Sequence, residues 1–284
     1  MAIDADSWPI WRRLTRRIWF LIMMVLIIAP MLIAFTLPVP IQSRTQDFKN
    51  IVDATPKGSG VLVGLQIESI STATEIKDFW IAMFTYLIRD RNLQLVFTAQ
   101  GPAGATSAET ILKSIDPDTR YNYKYGTNYV ILPYQPGDEI AMAATANSFA
   151  TTYATDNRGN PLSSLPIMQR FRGLADMSLS IVFFHIITYA EMFVRQWPVK
   201  YGVPCLVIGS FNVIATYYPK YVQGQIELTA QAYSEWELLV NIPGIELKKL
   251  NAANLQALLQ VGMIFIGLGV SAVEATKPKK VVQQ

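Results

Sequence analysis

Between residues 61 and 208 the chain alternates strand-like and helix-like stretches, and this alternation restricts the fold more than any other feature. Val61-Leu62-Val63-Gly64-Leu65-Gln66-Ile67 is a nearly continuous apolar run of strand length, as expected for a strand covered on both faces in a parallel sheet. Ile76, Phe79, Trp80, Met83, Phe84, Leu87 and Ile88 then recur at three- and four-residue spacing, which is one apolar stripe on a helix. The pattern predicts further strands at 93–98, 129–132, 179–184 and 205–208. It predicts helices at 107–115, 138–153 and 189–197, and a long helix from about 223 to 239. Thr72 and Glu75, Thr106 and Glu109, and Thr188 and Glu191 each have the spacing of a capping box, worth on the order of 1 kcal/mol. Strands alternating with helices imply an α/β fold: a doubly wound, mostly parallel sheet, Rossmann-like or flavodoxin-like, with right-handed crossovers.

Two apolar segments bracket that region. Trp19 to Leu37 contains nineteen residues without a charge, against the roughly 20 residues that cross a bilayer. Bulky Phe35 and Leu37 at its exit argue against signal cleavage. Leu255 to Val273 is also uncharged, with Gln256 and Gln260 in its first turns. Arg12, Arg13, Arg16 and Arg17 precede the first segment, and Lys277, Lys279 and Lys280 follow the second, so both termini are expected in the cytoplasm. The expected organisation is a basic, aromatic N-terminus over 1–18, a transmembrane helix over 19–38 and a tether over 39–58. An extracytoplasmic α/β domain over 59–250, a second transmembrane helix over 253–274 and a basic tail over 275–284 follow. The expected location is a prokaryotic cytoplasmic membrane, crossed twice.

Composition narrows the chemistry. Of 284 residues 51% are hydrophobic and 16% charged, where an average soluble domain carries about 25% charged, so large apolar contacts are expected. The net charge of +3 comes partly from the terminal clusters and does not call for nucleic acid as a partner. Cys205 is the one cysteine, which excludes an intrachain disulfide and a multi-cysteine metal site, and His185 is the one histidine. No catalytic set of nucleophile, base and orienter assembles from these, and neither a cofactor nor a metal is expected.

In doubly wound sheets ligands bind outside the carboxyl ends of the strands. The candidate ligand-binding residues are therefore Glu68 and Ser69 after the first strand, Gln100, Gly101, Gly104 and Thr106 after the second, and Tyr134, Gly137 and Asp138 after the third. Ser71, His185, Ser210 and Asn212 also stand at strand ends. The Gln100 to Ser107 loop leads into a helix, where free amides would hold an anion. It lacks the lysine of a phosphate loop, and a tight turn is the simpler reading. His185, between Phe184 and Ile186, reads as a core residue. The acidic turns at 116–118 and 156–161 read as solvated turns.

Tyr125-Gly126-x-x-Tyr129-Val130 followed by Tyr134-x-Pro136-Gly137, then Leu165-Pro166-Ile167-Met168, and Tyr218-Pro219-x-Tyr221-x-x-Gly224-Gln225 leading to Glu235-x-Glu237-Leu238, resemble segments of a family of uncharacterised prokaryotic membrane-anchored proteins. The resemblance implies an α/β domain between membrane helices and brings no activity with it. The functional expectation is an accessory subunit of a membrane assembly, with the lipid bilayer and other membrane subunits or a homo-oligomer as partners. The alternatives are a small-ligand-binding or sensing module using the strand ends and, last, a membrane-bound hydrolase or transferase.

Overall fold

The computed structural model describes residues 10–32, 40–209, 226–228 and 232–276. The chain divides into two units, Met1–Pro38 with Ile245–Gln284, and Val39–Gly244. In the first unit helix α1 (Ile10–Leu32) packs against a long C-terminal helix, Ile245–Thr276. Among the described residues no helix is long and apolar enough to cross a membrane. The flanking transmembrane helices and the two-pass placement read from the sequence are corrected on that finding. The physical reason in α1 is that the helix begins at Ile10 and takes in all four arginines. Its described uncharged part, Ile18 to Leu32, rises about 22 Å against a hydrocarbon thickness of about 30 Å, and residues 33–38 of the expected span lie outside the described residues. The C-terminal helix carries Lys248 and Lys249 near its start and Asn251, Asn254, Gln256 and Gln260 along its first half.

The second unit holds the sheet. Its elements in chain order are α2 (Ser43–Ala54), β1 (Gly60–Leu65), α3 (Ile70–Glu75), α4 (Lys77–Thr85), β2 (Gln94–Ala99), α5 (Gly104–Ile115), α6 (Pro117–Tyr121) and β3 (Tyr129–Tyr134). Then come α7 (Asp138–Asn147), α8 (Phe149–Thr152), α9 (Pro166–Arg170), β4 (Leu179–Phe184), α10 (Ile187–Gln196), α11 (Pro198–Tyr201), β5 (Cys205–Gly209), β6 (Ile226–Leu228) and α12 (Ala232–Leu239). The long C-terminal helix of the first unit is α13. All strand pairs are parallel, in the order β3-β2-β1-β4-β5-β6. The order grows outward from β1 in one direction and from β4 in the other, so it reverses between those two strands.

Alternation along the strands builds two cores. Val61, Val63 and Leu65 face one side with Phe48 and Val52 of α2, the stripe of α4, Ile111 of α5 and Trp236 of α12. Leu62, Val96 and Val182 face the other side with Met142 of α7 and Phe193 of α10. Both faces are covered, which is why the strands read as unbroken apolar runs. The outer edge of β3 is closed as well: the Tyr129 carbonyl accepts from Gly126 N at 2.7 Å and the Ile131 carbonyl from Asn157 N at 2.8 Å.

Four local expectations change. The stretch read as a tether contains α2, whose Thr45, Phe48 and Val52 are buried. The buried Glu235 carboxylate of α12 accepts from Thr45 Oγ1 at 2.5 Å and from Gln42 N at 3.1 Å, so an acid 190 residues away caps the start of α2. The helix expected over 138–153 breaks at Ser148, which is extended and caps α8 through Thr151 N. The helix expected over 223–239 is instead the strand β6 and the shorter α12. None of the three capping boxes forms: Ser69 caps α3, while Ala103 and Ile186 precede α5 and α10 without a side-chain cap.

Candidate functional site

The carboxyl ends of β1 and β4 meet at the reversal of strand order, and a fully buried glutamine joins them. Gln66 N donates to the Phe183 carbonyl at 2.9 Å. Its Oε1 accepts from His185 N at 2.8 Å and Ile186 N at 3.2 Å, and its Nε2 donates to Glu68 Oε1 at 2.8 Å. One amide thus ties together the two loops that leave the reversal and orients the Glu68 carboxylate above them. A buried amide left without these partners would cost about 1–3 kcal/mol, so the geometry is self-reinforcing.

The neighbouring loop after β2 is pressed against the same backbone. Gln100 N donates to the Leu65 carbonyl at 3.0 Å and Ala103 N to the Ile67 carbonyl at 3.0 Å. A Cβ on Gly101 would lie 2.4 Å from Ile67 O, and one on Gly104 would lie 2.7 Å from Leu65 O. The two glycines therefore serve close backbone approach. The amides of Gln100, Ala103 and Gly104 are spent on backbone carbonyls, which removes much of the anion cradle considered for this loop. Gln100 Nε2 donates to Thr98 Oγ1 at 2.7 Å, and the buried Gln100 Oε1 has no hydrogen-bond partner among the described residues. Thr106 lies in the first turn of α5, exposed, with its carbonyl accepting from Thr110 Oγ1.

The loop after β3 brings a third set of groups. Gly137 has φ 122° and Asp138 φ 46°, so two consecutive residues hold left-handed backbone where α7 begins. Asp138 Oδ1 accepts from the Tyr189 hydroxyl of α10 at 2.6 Å. That bond raises the Tyr189 pKa above its ordinary value, with burial adding to it and the charges of Asp138 and Glu68 contributing in the same direction. Glu68, Tyr134, Asp138 and Tyr189 therefore share one neighbourhood at the carboxyl rim. Ser69 is occupied locally, capping α3 at 3.4 Å and bonding Ser71 Oγ at 2.8 Å.

Sequence reasoning missed Gln66 and Tyr189. A polar residue ending an apolar strand was a visible signal for Gln66. Nothing local marks Tyr189, because its partner lies 51 residues away and the two meet only through packing of α7 on α10. His185 also departs from expectation: its side chain is exposed on the rim. The acidic turn at 156 uses its own carboxylate, with Asp156 accepting from Arg158 N, Asn160 N and Asn160 Nδ2. Cys205 is buried, and burial pushes its thiol up to about 12, so the thiolate that a nucleophile needs is not available near neutral pH. Ser210, Asn212 and the tyrosines at 217, 218 and 221 lie outside the described residues.

One ion pair holds the rim helices together and makes a pH prediction. Glu139 of α7 accepts from Arg195 Nε at 3.0 Å and Nη2 at 2.9 Å and from Gln196 Nε2 at 2.9 Å, and these bonds bring its pKa down to about 2. A carboxylate with a depressed folded pKa adds stability that is present above its unfolded value and lost as pH falls through its folded one. The loss is expected between about pH 4.5 and about pH 2. Thermal melts of Glu139→Gln across that window are expected to fall less steeply than those of the unaltered chain. Equal slopes would show that the pair contributes nothing.

No protein-family model matches the chain, and no curated protein does. Among solved structures, the chain is similar to the crystal structure of the C-terminal domain of a glycosyl transferase group 1 family protein (LpcC) from Francisella tularensis. The two are 10% identical, the match covers 80% of this chain and 94% of that one, and the TM-score is 0.32, values from which no activity is drawn.

Proposed function

We propose that the chain is a small-ligand-binding α/β module whose site is the crevice at the carboxyl ends of β1 and β4. The observation that carries this reading is the Gln66 amide, which braces the loops on both sides of the strand-order reversal. Binding crevices in open α/β sheets form at such reversals because adjacent loops there diverge to opposite faces. A site with fixed walls loses little conformational entropy on binding. Glu68, Asp138, Tyr134 and His185 are exposed around it and supply polar contacts.

The test is an NMR-monitored screen of the full chain against fragment-sized amines, sugars and carboxylates. Saturable shifts are expected to converge on the Gln66 and Gln100 side-chain amides and on the His185 and Ile186 N–H groups. Gln66→Leu, at a stability cost of about 2 kcal/mol, is expected to abolish those shifts while the chain stays folded. A second groove is lined by Lys113 of α5, Asp116, Tyr129 and Arg158, and saturable shifts confined to it, with none at the rim, would refute the assignment.

Contact with a protein partner is a second reading, favoured by Ile70, Ile140 and Ile186, exposed by 70%, 81% and 40% on loops and helix starts of that rim. Sedimentation of the Ile70→Glu, Ile140→Glu variant against the unaltered chain separates the two readings: a drop in mass supports association through the rim.

A further inference from the structure

Three observations bear on what the crevice holds. The segments 66–71, 100–106, 134–138 and 185–189 contain no lysine or arginine, whereas Glu68 and Asp138 stand exposed among them. Among the described residues, Arg195 is held by Glu139, and Lys77 of α4 lines a small groove with Ile70, Thr106 and Ile111, against the face of the sheet opposite α7 and α10. Three of the loop amides that would bind an anion, those of Gln100, Ala103 and Gly104, are spent on the carbonyls of Leu65, Ile67 and Gly101. Acceptors, by contrast, remain. Glu68 uses one oxygen toward Gln66, Asp138 uses one toward Tyr189, and Gln100, 6% exposed, buries an Oε1 that meets no donor among the described residues. A buried acceptor with no donor is costly by about 1–3 kcal/mol, and a ligand donor would recover part of that.

We infer that the crevice takes a ligand carrying a cationic hydrogen-bond donor, a primary ammonium or a guanidinium, held by Glu68 and Asp138 with Gln100 Oε1 accepting from it, and that it excludes phosphate. The inference rests on the ligand-binding reading of the same crevice. Charge-assisted hydrogen bonds to two carboxylates give the cation its attraction, and the Tyr134 and Tyr189 rings offer faces that favour positive charge. The closeness of Glu68 and Asp138 to Tyr189 is consistent with the upward shift of its hydroxyl. A phosphate would meet the same two carboxylates, and the described rim segments bring it no lysine or arginine, which sets like charge against like.

The experiment titrates the full chain by calorimetry and NMR with agmatine, which carries both an ammonium and a guanidinium, and in parallel with inorganic pyrophosphate. Agmatine is expected to saturate with shifts at the Gln100 side-chain amide and around Glu68 and Asp138. Glu68→Gln and Asp138→Asn, each confirmed folded by its melting temperature, are expected to weaken agmatine by about tenfold or more. Pyrophosphate is expected not to saturate. Agmatine binding that is unchanged in both variants would overturn the inference, since it would then reflect scattered surface carboxylates. Saturable pyrophosphate binding at the rim without agmatine binding would overturn the cationic class and leave the crevice standing as a ligand site. Absence of agmatine binding alongside fragment shifts at Gln66 would likewise refute the class alone, whereas fragment shifts absent from the rim altogether would remove the site itself.

Discussion

Gly101→Ala is expected to destabilise the chain by about 3 kcal/mol or more, because the added Cβ meets backbone that cannot turn aside. It would lie 2.4 Å from Ile67 O, 2.6 Å from Ile67 C and 2.8 Å from Ile67 N. Relief requires moving the loop after β2 away from β1, which breaks the bond from Ala103 N to Ile67 O. Denaturant and thermal melts check this, with a fall in Tm of about 10 °C expected for a domain of this size. A loss below about 0.5 kcal/mol for the alanine variant would show that close approach is not what requires glycine there.

Trp197→Ala is expected to cost about 4 kcal/mol, and Gly64→Ala to recover part of that loss when combined with it. Trp197 is fully buried, stacks edge-on against Phe193 at 4.7 Å and donates its Nε1 to the Met142 carbonyl at 3.2 Å. Beneath it Gly64 leaves no room: a Cβ would lie 2.9 Å from Trp197 Cη2 and 2.9 Å from Phe193 Cε1. Gly64→Ala alone therefore forces side chains to shift, at about 1–2 kcal/mol. With the indole gone, the same methyl fills part of the cavity. The double variant is expected to be more stable than the sum of the singles by about 1 kcal/mol or more, read from a double-mutant cycle in urea. Strict additivity would mean that the two sites do not share that space.

Much of the fold was legible because burial leaves a periodic trace. The stripe from Ile76 to Ile88 falls on α4 and the π-helical turn Tyr86–Asp90 that continues it, and the runs at 61–67, 179–184 and 205–208 fall on β1, β4 and β5. The three-residue β6 left no trace, because so short an edge strand carries no period, and the polar stretch around it was read as helix. The capping boxes misled for a related reason. A threonine and a glutamate three apart satisfy the pattern anywhere along a helix, and only the true start has amides to cap. The apolar run at 19–37 was counted as an isolated segment, whereas the helix that forms begins at Ile10 and includes the arginines.

The rim was legible as a set of strand ends but not as a site. Glu68, Gln100 and Asp138 were identifiable because topology places every strand's carboxyl end on one edge. The partners that define their chemistry are tertiary. Gln66 finds His185 N 119 residues on, Asp138 finds Tyr189, and Glu235 finds Thr45 across 190 residues. The role of Gly101 likewise follows from the position of Ile67 and not from its own neighbours.

Local sequence determined the alternation of strands and helices, the parallel doubly wound class and the edge that gathers the strands' carboxyl ends, because hydrophobic periodicity reports which side of each element is buried. The tertiary structure alone decided which acceptors at that edge are already satisfied, which loop amides are spent and where α2 is capped. Hydrogen bonds and close approaches depend on distances between segments far apart in the chain, and periodicity within one segment carries no record of them.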